Sequence, residues 1–326
     1  MGERVKIEIM DTTLRDGEQT SGVSFVPHEK LMIARLLLED LKVDRVEVAS
    51  ARVSEGEMEA VRIICEWAAT RNHLHKVEVL GFVDGKTSVD WIRQAGCRVL
   101  NLLCKGSLKH CTQQLQKTPE EHICDIKDTI YYAHSQGIQV NVYLEDWSSG
   151  MKESPEYVFQ MMDALQTTPI QRYMLPDTLG ILNPLQVIGY MRKMKKRYPK
   201  KHFDFHAHND YDLAVSNVLA AVLSGVKGLH TTINGLGERA GNAPLSSVQA
   251  ILKDHFNAVT NIDESRLNDV SRVVESYSGI VIPANKPIVG ESVFTQVAGV
   301  HADGDNKNNL YCNDLLPERF GRKREY

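Results

Sequence analysis

Apolar and polar positions alternate along this chain in a regular rhythm. Short runs rich in β-branched residues end in polar residues, and each run is followed by a longer segment with the apolar period of a helix. The rhythm predicts eight parallel strands separated by helices. The predicted strands span 5–10, 43–49, 77–83, 99–104, 138–145, 171–175, 203–208 and 229–233, and the predicted helices span 28–40, 55–70, 87–95, 118–136, 155–166, 184–198, 211–224 and 245–257.

The number of repeats decides between two α/β folds. A closed (β/α)8 TIM barrel contains eight such units in about 250 residues, whereas a doubly wound open sheet is the competing fold. Eight repeats in this length favour the barrel. Helix start signals support the alternation, since Thr118 precedes Pro119 and stands three residues before Glu121, and Ser154 precedes Pro155.

The rhythm stops after residue 257. A helical stretch at 263–278 is followed by a segment with two prolines at 282–287 and then by a tract rich in glycine and asparagine. We therefore expect a barrel domain over 1–258 and a small C-terminal subdomain, appended to the barrel, over 259–326.

Composition narrows the class of protein. With 42% hydrophobic and 25% charged residues, the 326-residue chain has the composition of a soluble globular protein. A net charge of −4 argues against a nucleic-acid partner, and no apolar run approaches the roughly 20 residues that span a membrane. The six cysteines form no C-x-x-C pair, so we expect reduced thiols and a cytoplasmic protein.

The candidate chemistry lies where the predicted strands end, because barrel active sites occupy that face. His206 and His208 are two residues apart, so strand alternation points both imidazoles to one side. Asp16 follows the first strand and could complete a set of two histidines and one carboxylate, which binds divalent metals and leaves positions open for a substrate. A pair of histidines at a strand end also occurs without any metal.

The loop after the eighth predicted strand is rich in glycine. Gly235, Gly237 and Gly241 are spaced one residue too widely for the dinucleotide-binding fingerprint. A phosphate cradle is therefore the weaker interpretation. We expect instead a tight loop that brings Asn242 close to the metal.

Four separated motifs resemble those of the 2-isopropylmalate, homocitrate and citramalate synthase family of metal-dependent barrels. Two further segments, at 143–148 and 316–323, are most similar to the citramalate synthases of that family. The resemblance covers nearly the whole chain, with its motifs in the family's order. The four motifs lie at 11–19, 206–210, 235–242 and 299–304.

The resemblance implies an acyltransferase that makes (R)-citramalate for isoleucine biosynthesis. Acetyl-CoA would condense with pyruvate, and hydrolysis of the resulting thioester would release CoA. A 2-isopropylmalate synthase, acting on 2-oxoisovalerate, is the alternative within the family. A catalytically silent metal-binding barrel is the alternative outside it, but the chain retains the residues that the chemistry needs, namely Arg15, Asp16, Glu145, His206 and His208.

The segment at 143–148 departs from the wider family. Isopropylmalate and homocitrate synthases usually carry Ser-x-Glu-Asp followed by an arginine, and both the serine and the arginine are missing here. The departure favours a small apolar substrate over a longer or dicarboxylate one.

By the same resemblance, Asp16, His206 and His208 bind a divalent metal, with Asn242 as a fourth ligand. Zinc or manganese is favoured, and magnesium or cobalt stays open. Arg15 is expected to face the keto oxygen. Glu47 would hold its guanidinium, although the two residues could equally form a structural ion pair.

The resemblance also implies a small substrate pocket. Leu80, Leu103 and Tyr143 would surround the methyl group of pyruvate. Thr178 would donate to its carboxylate, unless that hydroxyl only caps the strand end. The other residues expected at the two substrates are Phe82, Asp303, Asn309 and Leu310.

Two groups compete for the proton-abstracting role at acetyl-CoA. Glu145 is the first candidate, and His301 with Tyr311 is the rival. The family's tail reaches over a neighbouring subunit, so we expect a homodimer in which the tail acts in trans. Because residues 321–326 stop within a run of charges, we also expect an isolated catalytic region without the family's regulatory domain, and hence without feedback inhibition.

Overall fold

The computed structural model describes residues 4–256 and 258–323. Its eight parallel strands close into a barrel in sequence order, with the first strand paired to the last. The prediction of a (β/α)8 barrel is therefore confirmed. The strands are β1 Glu8–Asp11, β2 Arg45–Ser50, β3 Val77–Phe82, β4 Val99–Lys105, β5 Gln139–Glu145, β6 Ile170–Asp177, β7 Phe203–Ala207 and β8 Gly228–Thr231.

The helices cover the outside of the barrel, and each of those predicted from sequence is present. The helices are α1 Pro27–Arg35, α2 Glu55–Thr70, α3 Thr87–Gln94, α4 Pro119–Ser135, α5 Trp147–Glu153, α6 Pro155–Leu165, α7 Pro184–Arg197, α8 Ala214–Leu223, α9 Leu245–Phe256, α10 Leu267–Ser278 and α11 Gly299–Asn308.

Two of these helices were not predicted. Helix α5 follows β5 directly after Asp146, whose backbone is left-handed with φ 62°. Helix α11 lies in the tract rich in glycine and asparagine, where the sequence shows no amphipathic period. A Cβ atom at Gly304 of α11 would lie 2.6 Å from the Tyr311 ring, so glycine lets the following segment fold back onto the helix.

One helix start signal works as predicted and the other does not. Thr118 Oγ1 accepts a hydrogen bond from the Glu121 amide at 3.2 Å, and Glu121 accepts one from the Thr118 amide at 2.8 Å. This reciprocal pair is a capping box. Ser154 makes no side-chain cap, because its hydroxyl accepts from the Leu108 amide instead.

The interior of the barrel is partly charged. On β2, Val46 and Val48 face the surrounding helices, whereas Arg45 and Glu47 alternate with them and face inward. Arg45 forms ion pairs with Glu78 at 3.1 Å and with Asp204 at 2.5 Å. Buried charges remain in an interior only when they are paired and hydrogen-bonded, and this cluster meets that condition.

An apolar cluster lies in the interior and is separate from the main core. It consists of Met10, Leu80, Tyr143 and Met174, with Leu103 packed against it. Three of its members, Leu80, Leu103 and Tyr143, also line the cavity at the mouth of the barrel.

The C-terminal segment packs against the barrel at several points. Val259 pairs with Lys6, and Phe320 is fully buried. Arg319 contacts both Asp254 of α9, at 2.9 Å, and Glu264, at 3.1 Å. The division of the chain at residue 258 stays a prediction. Among the described helices, none combines the length and the apolar character needed to cross a membrane.

Candidate metal centre and substrate pocket

Three buried side chains meet at the mouth of the barrel. The Nε2 atoms of His206 and His208 lie 3.3 Å and 3.8 Å from Oδ2 of Asp16. His206 is on β7, His208 follows that strand, and Asp16 follows β1, so the closure of the barrel brings them together. Their candidate ligand atoms all lie within 4.8 Å of one another.

The protonation of this trio suits a cation. Burial raises the pKa of Asp16, but Arg15 and the two histidines outweigh burial and hold it well below 3.8. Burial lowers the pKa of His206, and it lowers that of His208 to about 4. Neutral imidazoles beside a carboxylate are the form in which these groups bind metals.

Unpartnered polar atoms provide a further test of fit. The Nδ1 atoms of both histidines and Oδ1 of Asn242 are buried without a hydrogen-bond partner in the described part of the chain. Such atoms are costly unless a ligand or water satisfies them. The donor set of two histidines, a carboxylate and an amide oxygen fits a divalent metal such as zinc or manganese.

The glycine loop after β8 brings Asn242 to the trio. Asn242 Nδ2 donates to Asp16 Oδ1 at 3.1 Å and to the Leu236 carbonyl at 3.0 Å. A Cβ atom at Gly237 would lie 2.3 Å from that amide nitrogen, so the approach requires glycine. The loop therefore places Asn242 beside the trio, and its role as a metal ligand stays a prediction.

Arg15 is held on three sides. Its Nε donates to Glu47 at 2.6 Å, its Nη1 to Asp16 at 3.1 Å and its Nη2 to the Tyr143 hydroxyl at 3.4 Å. Glu47 is fully buried and also accepts from Thr12 at 2.7 Å. Although burial raises the pKa of Glu47, its contact with Arg15 brings it below the usual value. The predicted pairing of Arg15 with Glu47 is thus present.

A cavity of about 190 Å³ opens beside these groups. A cavity of this size suits a small organic acid. Besides Thr178, nine residues expected at the site from sequence line it together, namely Arg15, Asp16, Leu80, Phe82, Leu103, Tyr143, Glu145, His206 and His208.

Thr178 also lines the cavity, but its hydroxyl is engaged. Its Oγ1 accepts a hydrogen bond from the Asp146 amide at 2.9 Å. This is the strand-end cap that the sequence left open, and it supports the left-handed turn at Asp146. The hydroxyl hydrogen of Thr178 remains available to a ligand in the cavity.

Glu145 carries a partner that the sequence analysis missed. Lys105 ends β4 opposite Glu145 in the strand register, and the two side chains form an ion pair. The polar run that ends β4 was the signal that could have identified Lys105. Other lining residues not anticipated from sequence are Gln19, Ser50, Pro176 and Glu238.

The expected tail residues do not line this cavity within the chain. The His301 and Tyr311 rings stack with centroids 4.3 Å apart, and Asp303 pairs with Lys307 at 2.5 Å. Leu310 is 65% exposed, and Asn309 ends α11 in a left-handed conformation. Their predicted role in a neighbouring subunit's site stays a prediction.

Fold and site together define a (β/α)8 barrel protein with a candidate divalent-metal centre at the carboxyl ends of its strands. The chain belongs to the HMGL-like family, whose family model matches residues 6–274.

Curated relatives share about a third of its residues. It is 34% identical to a putative (R)-citramalate synthase of Methanopyrus kandleri, over 98% of this chain and 62% of that protein. It is 35% identical to a probable 2-isopropylmalate synthase of Ignicoccus hospitalis, over 98% of this chain and 78% of that protein. It is also 35% identical to a homocitrate synthase of Sulfolobus acidocaldarius, over 99% of this chain and 68% of that protein.

Solved structures agree on the fold. The HMG-CoA lyase of Bacillus subtilis superposes with a TM-score of 0.71 at 19% identity, covering 89% of this chain and 98% of that chain. An HMG-CoA lyase from Acinetobacter baumannii was solved with coenzyme A and 3-methylmalate. It superposes with a TM-score of 0.68 at 20% identity, covering 85% of this chain and 93% of that chain.

Proposed function

We propose that this chain is the catalytic region of an (R)-citramalate synthase, which condenses acetyl-CoA with pyruvate and hydrolyses the thioester to citramalate and CoA. The observation that carries the proposal is the small cavity walled by Leu80, Leu103 and Tyr143 next to the candidate metal trio. The family membership and the synthase relatives support a condensation of this type.

A divalent metal held by Asp16, His206, His208 and Asn242 would supply Lewis acidity at the keto and carboxylate oxygens of the 2-oxo acid. Arg15 donates to the keto oxygen, where negative charge develops during attack. Since Glu47 already orients the guanidinium, little reorganisation is needed as the charge appears.

Glu145 removes a proton from the methyl group of acetyl-CoA. The resulting carbanion attacks the keto carbon, and a carbon–carbon bond forms as the carbonyl π bond breaks. The keto oxygen becomes an alkoxide that takes up the proton Glu145 removed, which restores the base. Lys105 holds the Glu145 carboxylate in one orientation. General-base catalysis of this kind contributes roughly 10²- to 10⁴-fold to a rate. His301 with Tyr311 is the rival base.

Substrate choice follows from the size of the pocket. We expect the two leucines and the tyrosine ring to leave room for a methyl group and to exclude the isopropyl group of 2-oxoisovalerate. A methylene in a pocket of this kind changes discrimination by about 10- to 200-fold. A 2-isopropylmalate synthase remains the second candidate, because a relative with that name is equally similar.

The proposal extends to the oligomeric state of the protein, its cell compartment and its pathway. The exposed Tyr311 and Leu310 suit a homodimer whose tail completes the partner's site. The free thiols of Cys65, Cys97, Cys104, Cys111 and Cys124 suit a reducing cytoplasm, and citramalate would enter isoleucine biosynthesis.

The test is thiol release from acetyl-CoA with a panel of 2-oxo acids, in the presence of zinc, manganese, magnesium or cobalt. We expect release with pyruvate in preference to 2-oxoisovalerate, and (R)-citramalate as the product on chiral chromatography. Preference for 2-oxoisovalerate would assign the chain to the second candidate.

A further inference from the structure

A chain of hydrogen bonds runs from the charged interior of the barrel up to the substrate pocket. Asp204 Oδ2 lies 3.1 Å from His230 Nε2, and His230 Nδ1 lies 2.9 Å from the Tyr143 hydroxyl. The same hydroxyl lies 3.4 Å from Nη2 of Arg15. His230 itself is 1% exposed and is not among the residues that line the cavity, and its hydrogen bond towards the cavity is the one with Tyr143.

The chemistry of the four groups fixes where each proton lies. An ionised carboxylate can only accept, and Arg45 holds Asp204 in that form despite the burial that raises its pKa. A neutral imidazole has one N–H, which the carboxylate draws to Nε2. Nδ1 of His230 must then accept, so the Tyr143 hydroxyl donates to it and accepts from Arg15.

The packing around Asp204 is built for this arrangement. A Cβ atom at Gly228 would lie only 1.9 Å from Asp204 Oδ1, so glycine at the start of β8 leaves space for the carboxylate. The same oxygen, Oδ1, lies 3.0 Å from His202 Nε2. The carboxylate therefore contacts two histidines, and only His230 leads to the pocket.

We infer that His230, oriented by Asp204, is a positioning residue that turns the hydroxyl of Tyr143 away from the substrate and so sets which 2-oxo acids the pocket accepts. The inference rests on the proposed function. With its hydroxyl proton committed to His230, Tyr143 offers the substrate its ring and no free donor. The wall that Tyr143 forms then favours a small apolar group and offers no donor to a hydroxyl or carboxylate on the substrate side chain.

The first test needs no catalytic activity. Protein labelled with ¹⁵N-histidine and loaded with zinc is examined by NMR through the two-bond couplings of the imidazole ring, with His230 assigned from His230→Leu. We expect a neutral ring with the proton on Nε2, and a downfield shift of Nδ1 in Tyr143→Phe, where the donated hydrogen bond is lost. A proton on Nδ1 would overturn the inference, as would an imidazolium.

The second test measures selectivity. His230→Leu removes both the donor to Asp204 and the acceptor for Tyr143, while Asp204 keeps its ion pair with Arg45. Tyr143→Phe keeps the ring but loses the hydroxyl. Each should lower the preference for pyruvate over 2-oxobutyrate about tenfold, mainly through KM. Because both act through one hydrogen bond, the double variant should be no worse than either single variant. Additive losses would overturn the inference.

His202→Leu is the matched control. It alters a histidine on the same carboxylate that has no contact with Tyr143, so selectivity should stay unchanged. If the unaltered chain releases no thiol with any 2-oxo acid, the proposed function fails, while the NMR result still decides the hydrogen-bond arrangement.

Discussion

Lys105 and Glu145 stand opposite each other at the ends of β4 and β5 and form an ion pair at the mouth of the barrel. Two side chains fix the backbone of Lys105. The Tyr157 hydroxyl donates to the Lys105 carbonyl at 2.9 Å, and His122 accepts from the Lys105 amide at 3.0 Å. Glu145 is therefore a carboxylate whose position is set by a neighbouring strand.

This relationship predicts a graded loss of activity. Glu145→Gln should lower kcat by roughly 10²- to 10⁴-fold, because the base is removed. Lys105→Met should lower kcat by about 10- to 100-fold, because the carboxylate loses its orientation. Steady-state thiol release measures both, and Lys105→Arg should recover part of the loss. Full activity of Glu145→Gln would transfer the base role to His301 and Tyr311.

Metal retention should depend on the trio. Asp16→Asn, His206→Ala and His208→Ala should each weaken metal binding by more than the roughly 10- to 100-fold that losing a supporting hydrogen bond costs. Equilibrium dialysis with elemental analysis measures the loss, and circular dichroism checks the fold.

Asn242 and His202 complete the metal experiment. If Asn242→Ala loses as much metal as His206→Ala does, the Asn242 amide is a metal ligand. If it loses less metal, the amide only holds Asp16 in position. His202→Ala, which lies outside the trio, should keep its metal. Full metal content in His206→Ala would contradict the assignment.

Enlarging the pocket should broaden substrate choice. Leu103→Ala removes a wall of the cavity and should shift the ratio of kcat/KM values for pyruvate and 2-oxobutyrate by about 10- to 200-fold towards the larger acid. Its neighbour Leu102 is equally a leucine but points into the outer core. Leu102→Ala should instead cost about 2–5 kcal/mol of stability and leave the ratio unchanged. An unchanged ratio in Leu103→Ala would remove that residue from the pocket wall.

Acid should loosen the C-terminal segment. Burial raises the pKa of Glu264, but Arg319 and Lys253 outweigh it and bring the net value below 4.5. A carboxyl group whose pKa is lowered in the folded state stabilises the fold at pH values above 4.5, its ordinary pKa. That stabilisation disappears as the pH falls through the pKa of the folded state.

Glu264→Gln should therefore lower the free energy of unfolding by about 1–3 kcal/mol at neutral pH. The difference from the unaltered protein should shrink in acid, and urea denaturation across pH measures it. Glu59→Gln, in an exposed pair with Arg62, should change little. A difference that grows in acid would contradict the assigned sign.

Mixed dimers test the tail in trans. His301→Ala and Glu145→Gln should each be inactive alone, because each lacks one half of every site. After the two are mixed and allowed to exchange subunits, half of the sites in each mixed dimer are intact, so about a quarter of the activity should return. Activity of His301→Ala alone would exclude an essential role for that residue, and inactivity of the mixture would argue for a site within one chain.

The motifs identified most of the candidate site because its chemistry is local in sequence. The spacing of His206 and His208 puts both on one side of a strand, and the barrel follows from eight repeats. Lys105 was missed because its ion pair depends on the strand register, which places it opposite Glu145. Helix α11 was missed because its glycine and asparagine residues carry no amphipathic period, and contacts such as Tyr311 against Gly304 stabilise it instead.

The sequence by itself determined the barrel, the order of its strands and the polar groups at their carboxyl ends, since these depend on periodicity and on strand alternation. Only the tertiary structure decided that Arg45 and Glu47 face inward, because alternation defines two faces without saying which one is enclosed. It also decided the contact from His230 on β8 to Tyr143 on β5, because these two strands face each other across the interior only when the barrel closes.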